Sequence, residues 1–111
     1  MPTHIKRGEV YWVKLDPTIG TETKKHRPAV ILSNNAQNMV GYRFIIAPIT
    51  SNIAKIFPFD VKINIDGKPS KVMVDQIRTI DKLRLGNKMW ELSLGELHEV
   101  EAAIRLVLAL G

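Results

Sequence analysis

The sequence predicts a small, mostly antiparallel β-barrel with a single α-helix at its C-terminal end. Three observations carry this reading. Turn signals recur about every eight to twelve residues, a spacing typical of all-β domains. The segments between them are rich in Val, Ile, Tyr, Trp and Phe, the residues that fit a pleated, half-buried surface. From Ser93 onward the apolar period changes to that of a helix. No internal repeat, low-complexity tract or Gly/Ser linker interrupts the chain, so residues 1–111 are read as one domain.

Each element has a local cause. Gly8 opens GEVYWVKL, the first strand, and Asp16-Pro17 ends it, because proline offers no ladder donor and restricts the residue before it. A long loop runs from Gly20 to Arg27. PAVILS is the second strand, with Pro28 at its first position, where proline is tolerated. NNAQNMVG is a turn, or one turn of helix. YRFIIAPITS is the third strand, apolar enough to lie centrally. FPFDVKIN is the fourth, with Phe57, Phe59, Val61 and Ile63 alternating. Asp66-Gly67 signals a hairpin, SKVMVDQI is the fifth strand, and LRLGNKMWEL is the sixth, broken or turned near Gly86-Asn87. Ser93-Leu94-Gly95-Glu96 forms a capping box, in which hydroxyl and carboxylate each satisfy an orphan backbone donor. The helix then runs from about Leu94 to Ala109, with Leu97, Val100, Ile104, Val107 and Leu108 at helical spacing. Ile104, Leu106, Val107, Leu108 and Leu110 lie on more than one face. That surplus needs cover, and a second subunit is one candidate.

Composition narrows the function. The chain is 45% hydrophobic and 24% charged, with a net charge of +5 and a sequence pI of about 9.7. A basic balance suits a polyanion or an acidic protein partner. Aromatic residues make up only 6%, too few for a chain of base-stacking platforms. There is no cysteine, no apolar run long enough to span a bilayer, and no secretory core in MPTHIKRGEV, so a cytoplasmic location is expected. His4, His26 and His98 are widely separated and no acidic cluster suggests a two-metal site, so no metal or other cofactor is expected. No motif frames Ser33 or Ser51 as a nucleophile, and there is no Gly-rich phosphate loop.

One junction remains. In GTETKKHRPAVILSNN a charged loop runs straight into an apolar strand at Arg27-Pro28. Arg27 stands at the start of the second strand, Thr50 and Ser51 at the end of the third, and Asp75 and Gln76 at the end of the fifth. In a barrel these ends meet at one rim. An arginine fork, a hydroxyl and a carboxylate there can handle a phosphate. RNA carries its own nucleophile, the 2′-hydroxyl, so a ribonuclease needs only to align it, hold charge on the phosphorane and protonate the leaving oxygen. The plainer alternative is that Arg27 pairs with Glu22 or Asp75 to hold the loop, while Thr50 hydrogen-bonds at a strand end.

RGEVYWVKLDPTIGTETKKHRPAVILSNN resembles the N-terminal signature of the MazF/PemK/Kid toxins, the mRNA interferases of type II toxin–antitoxin modules. APITS and DQIRTIDKLRL are similar to two further motifs of that family, in the same order and spacing over nearly the whole chain. The resemblance implies an SH3-like barrel close to that of the gyrase poison CcdB, in a homodimer. It implies metal-independent, sequence-selective cleavage of single-stranded RNA to 2′,3′-cyclic phosphate and 5′-hydroxyl ends, and an acidic antitoxin that covers the RNA groove. Carried over by motif, Arg27, Thr50, Glu22 and Asp75 form the catalytic set. Because a guanidinium stays charged near neutrality, Arg27 is read as the phosphorane clamp and Thr50 as orienter or proton donor. His26, an imidazole beside Arg27, and Asp75 are candidate bases. Lys24, Lys25, Ser51 and Gln76 are candidate RNA contacts. Two departures from the family pattern stand out. Met73 occupies a position where some members carry arginine, and Thr23-Lys24-Lys25 replaces a loop glycine. The competing function is a CcdB-like poison that binds gyrase through its C-terminal helix without catalysis, since fold alone does not separate the two. An inactive RNA-binding module is a third reading.

Overall fold

The computed structural model describes residues 4–15 and 26–111. Within them the order is β1 (Glu9–Lys14), β2 (His26–Ile31), α1 (Asn35–Val40), β3 (Arg43–Thr50), β4 (Asp60–Ile65), β5 (Lys68–Met73), β6 (Arg78–Asp81), β7 (Leu85–Glu91) and α2 (Leu94–Leu108). Short 3-10 turns at Val74–Gln76 and Lys82–Arg84 flank β6. The loop expected between Asp16 and Lys25, with Glu22, Lys24 and Lys25, lies outside the described residues.

The strands pair antiparallel in the order β4-β5-β3-β2-β1-β7, with β6 also on β3. The result is a curled antiparallel half-barrel with one C-terminal helix. β3 is long enough to serve two neighbours along one edge. Its first half pairs with β6 through Arg43↔Asp81 to Ile46↔Arg78, and its end pairs with β5 through Ile49↔Val72 and Thr50↔Lys71.

The central strands are buried on both faces, which explains their continuous apolar runs. Val30 and Leu32 face one core with Val10, Ala47, Ile49, Val72 and Val100 of α2. Ala29 and Ile31 face a second core with Tyr11, Val13, Phe44, Ile46 and Ile80. Alternation sends successive residues to opposite faces, so one strand serves both layers.

Most local expectations hold. Asp66 and Gly67 have φ of 51° and 80°, the pair of positive values a two-residue type I′ hairpin requires. The Ser93 hydroxyl accepts from Glu96 N at 3.1 Å, and Glu96 Oε1 accepts from Ser93 N at 2.9 Å. Glu96 Oε2 also accepts from Asn64 N at 3.0 Å, which ties the helix start to β4. NNAQNMVG becomes a short helix, with the Asn34 side chain accepting from Gln37 N at its start and left-handed Gly41 at its end.

Three boundaries are corrected and one strand is added. β2 starts at His26, so Pro28 is its third residue, opposite Trp12 of β1. Phe57 and Phe59 precede β4 instead of alternating within it. Their rings stack with centroids 5.3 Å apart, and the Phe57 N–H is held by Asp60 Oδ2 at 2.8 Å. The fifth strand ends at Met73, because Ile77 N closes a 3-10 turn on Val74 O at 3.2 Å. The chain thereby re-enters the sheet as β6, RTID, a strand the sequence reading missed: four residues with one buried apolar side chain carry almost no periodicity. Among the described residues no helix is long and apolar enough to cross a membrane.

Candidate active site

The register of the central strands sets the site. Ala29 pairs with Pro48 and Val30 with Ala47, and continuing that register two residues places Arg27 opposite Thr50. On its other side Arg27 pairs with Val13 of β1. Pro28 locks the backbone immediately after Arg27, so the guanidinium projects from a fixed strand start. Arg27 is exposed and Thr50 half-buried. Asn52 N donates to Thr50 Oγ1 at 3.1 Å, which turns the chain out of β3 and leaves the hydroxyl proton available to donate.

Arg27 stands at the border of two hollows. The larger, about 530 Å³, is lined by Leu15, Arg27, Pro48, Met73, Gln76 and Arg78. Among the described residues its lining includes two guanidinium groups and no carboxylate, a setting that favours an anion. The smaller, about 250 Å³, joins Arg27, Thr50 and Ser51 to Trp12, Pro28, Ile49 and Met89. Ile65, Lys68 and Ser70 complete it.

The structure therefore brings Arg27, Thr50, Ser51 and Gln76 together around these hollows. Asp75 and Gln76 belong to the 3-10 turn, anchored by buried Val74, and not to the end of the fifth strand. Asp75 is exposed and lines neither hollow. His26 lines neither as well: it precedes Arg27 in the same strand, and alternation directs it to the opposite face. Among the described residues Arg27 and Asp75 form no ion pair, so that version of the plainer alternative does not operate between them. Glu22, Lys24 and Lys25 lie outside the described residues. Also among the described residues, no group of three His, Cys, Asp or Glu side chains gathers to hold a metal ion.

Arg78 and Trp12 are among the hollow-lining residues that were not singled out from sequence. Arg78 lies inside the DQIRTID motif, and its spacing from Gln76 is that of neighbours on one strand face, so a signal existed. Trp12 gave only the pattern of a core strand residue, and nothing local marks it as exposed.

The family of PemK-like, MazF-like toxins of type II toxin–antitoxin systems matches residues 6–108 of the chain. The chain is 36% identical to endoribonuclease MazF9 of Mycobacterium tuberculosis, over 96% of this chain and 98% of that protein. It is 35% identical to endoribonuclease EndoA of Bacillus subtilis, over 96% of each. Among solved structures it superposes on MazF of Deinococcus radiodurans with a TM-score of 0.82 at 29% identity, covering 98% of this chain and all of that one. A MazE–MazF structure from the same organism gives a TM-score of 0.85 at 28% identity, over 99% of this chain and 100% of that chain.

Proposed function

The chain belongs to the PemK-like, MazF-like toxins of type II toxin–antitoxin systems, and on that premise we propose that it is an endoribonuclease toxin cleaving single-stranded RNA at selected sequences. The observation that carries the site is that Arg27 and Thr50 line one hollow, while Arg27 and Arg78 together line a second.

The chemistry follows from what these groups can do. The RNA 2′-oxygen attacks the adjacent phosphorus, its proton passes to a base, and the P–O5′ bond breaks. The 5′-oxygen takes up a proton, leaving a 2′,3′-cyclic phosphate and a 5′-hydroxyl. Arg27 holds the phosphorane oxygens through its planar fork, a charge-stabilising role that is worth most where water is partly excluded. The Thr50 hydroxyl donates toward the leaving oxygen or orients the phosphate. The proton acceptor is drawn from Glu22, His26 and Asp75. Ser51, Gln76, Lys24 and Lys25 bind the flanking strand. None of these steps asks for a metal ion, because the nucleophile is intramolecular.

The partners are read from charge and exposed apolar surface. A net charge of +5 suits an acidic antitoxin, and the Deinococcus relative is known in a MazE–MazF structure. Leu106, Leu108 and Leu110 are 61%, 50% and 56% exposed, and a homodimer would give part of that surface cover.

The test is incubation of the purified protein with end-labelled RNA in EDTA, followed by analysis of product termini. Cyclic-phosphate and 5′-hydroxyl ends are expected, and Arg27→Ala should remove cleavage while the circular dichroism spectrum stays native. Wild-type activity in Arg27→Ala would overturn the site. No cleavage of any RNA would favour a non-catalytic binding protein of the same fold.

A further inference from the structure

Trp12 is 40% exposed in the middle of β1, although its neighbours Tyr11 and Val13 are buried. Leaving part of so large an apolar side chain in water forgoes a fraction of the about 1.5–3 kcal/mol that full burial of such a side chain brings. The surroundings hold it in place. Pro28 is its register partner on β2. On the other side the β1–β7 register slips, from Tyr11↔Lys88 to Val13↔Leu85, so Gly86 and Asn87 together face the single Trp12. Such bulges re-aim a side chain beside functional sites. A Cβ on Gly86 would lie 2.9 Å from the Trp12 carbonyl oxygen, so the close approach of β7 depends on that glycine.

Trp12 opens into the smaller hollow, which has two characters. Trp12, Pro28, Ile49, Ile65 and Met89 are apolar, while Arg27, Thr50, Ser51 and Lys68 supply hydroxyl groups and cations. A flat apolar ring with a polar edge, attached to a phosphate, matches that division.

We propose that Trp12 is the stacking platform for the nucleobase next to the scissile phosphate, seated between Trp12 and Met89 while Arg27 and Thr50 hold the phosphate. This rests on the endoribonuclease reading and adds a positioning residue to it. Base–aromatic stacking tolerates any base. Trp12 therefore contributes affinity and alignment, and the hydroxyl and lysine wall contributes discrimination.

The test uses a short RNA containing a mapped cleavage site and a series in which each flanking nucleotide in turn is made abasic. Trp12→Ala should lower kcat/KM about five- to hundred-fold on the intact RNA, and Trp12→Phe should retain most of the activity. At one flanking position the abasic substrate should bring wild type down to the level of Trp12→Ala, so that the two become equal. A second measurement does not depend on that variant folding. Trp90→Phe leaves Trp12 as the single tryptophan, and its fluorescence should be quenched by the matching deoxyoligonucleotide, which cannot be cleaved. Four results would overturn the proposal: normal cleavage by Trp12→Ala, an equal loss on every abasic substrate, no quenching, or a variant that weakens only capture of an acidic partner peptide. If wild type cuts no RNA at all, the endoribonuclease reading fails first and takes this proposal with it.

Discussion

Lys71 Nζ lies 2.9 Å from Asp60 Oδ2, with 9% of the lysine side chain and 2% of the aspartate exposed. The same ammonium donates to the Lys55 carbonyl at 2.6 Å and sits 5.6 Å from the centre of the Phe57 ring. One buried cation thus fastens the far end of the segment that leaves β3 at Thr50 and Ser51. Both charges are paired and hydrogen-bonded, the condition under which burying them is tolerable.

Removing one partner should therefore cost far more than a surface pair would. Lys71→Met leaves Asp60 buried without its cation and should destabilise the fold by roughly 3–5 kcal/mol. Urea unfolding reads this directly. A midpoint within error of wild type would mean that the pair does not anchor the segment.

Thr50 separates the donor role from simple packing. Thr50→Val keeps the shape and removes the hydroxyl, and should lower kcat about 10²–10³-fold, the usual loss for one transition-state donor. Thr50→Ser should keep most activity. Equal activity in Thr50→Val and wild type would remove the hydroxyl from the mechanism.

The proton acceptor can be identified by comparing Glu22→Gln, His26→Gln and Asp75→Asn. The variant lacking the base should lose about 10²–10⁴-fold in kcat and its pH–rate profile should lose the acidic limb. His26→Gln is expected to retain the most activity, because strand alternation directs that side chain away from the Arg27 face. A His26→Gln loss larger than the other two would reverse that assignment.

Acid stability should depend on Glu9. Burial by itself would raise its carboxyl, but hydrogen bonds from Lys6 N, Lys88 and the Tyr11 hydroxyl outweigh burial and hold it below the ordinary value of 4.5. A depressed carboxyl contributes stability that is present above its unfolded value and is lost as pH falls through the folded one. Thermal melts of Glu9→Gln should accordingly depend less on pH below about 4.5 than those of wild type. Identical slopes would show that Glu9 is not the linked group. The alkaline side has the opposite sign. The hydrogen bond to Glu9 raises Lys88, and burial followed by the Glu9 hydrogen bond raises the Tyr11 phenol. What they contribute is full below their ordinary values and fades as pH climbs through the raised ones.

Much of the fold was legible because it is encoded over a few adjacent residues. Asp66-Gly67 demands two positive φ angles, and Ser93 with Glu96 closes a reciprocal cap, whatever the rest of the chain does. RTID was illegible, since a four-residue strand with Ile80 alone buried is specified by the edge of β3 that receives it. The stacked pair Phe57 and Phe59 imitated strand alternation for a different reason, a turn fastened by Asp60. In the site, Arg27 was legible from the abrupt change at Pro28, and Thr50 from its motif. Trp12 was not, because its surroundings include a bulge in β7, more than seventy residues away in the chain.

The sequence by itself determined the element types, the hairpin, the capped helix, the basic charge and the family to which the chain belongs. Those properties rest on side-chain period, turn chemistry and short ordered motifs, all local. Tertiary structure alone decided that Arg27 shares one hollow with Thr50 and Trp12, and a second with Gln76 and Arg78. Each of those juxtapositions depends on strand register. Register is a cooperative choice between distant segments, made by burying both faces of β2 and β3 at once, and no single segment contains it.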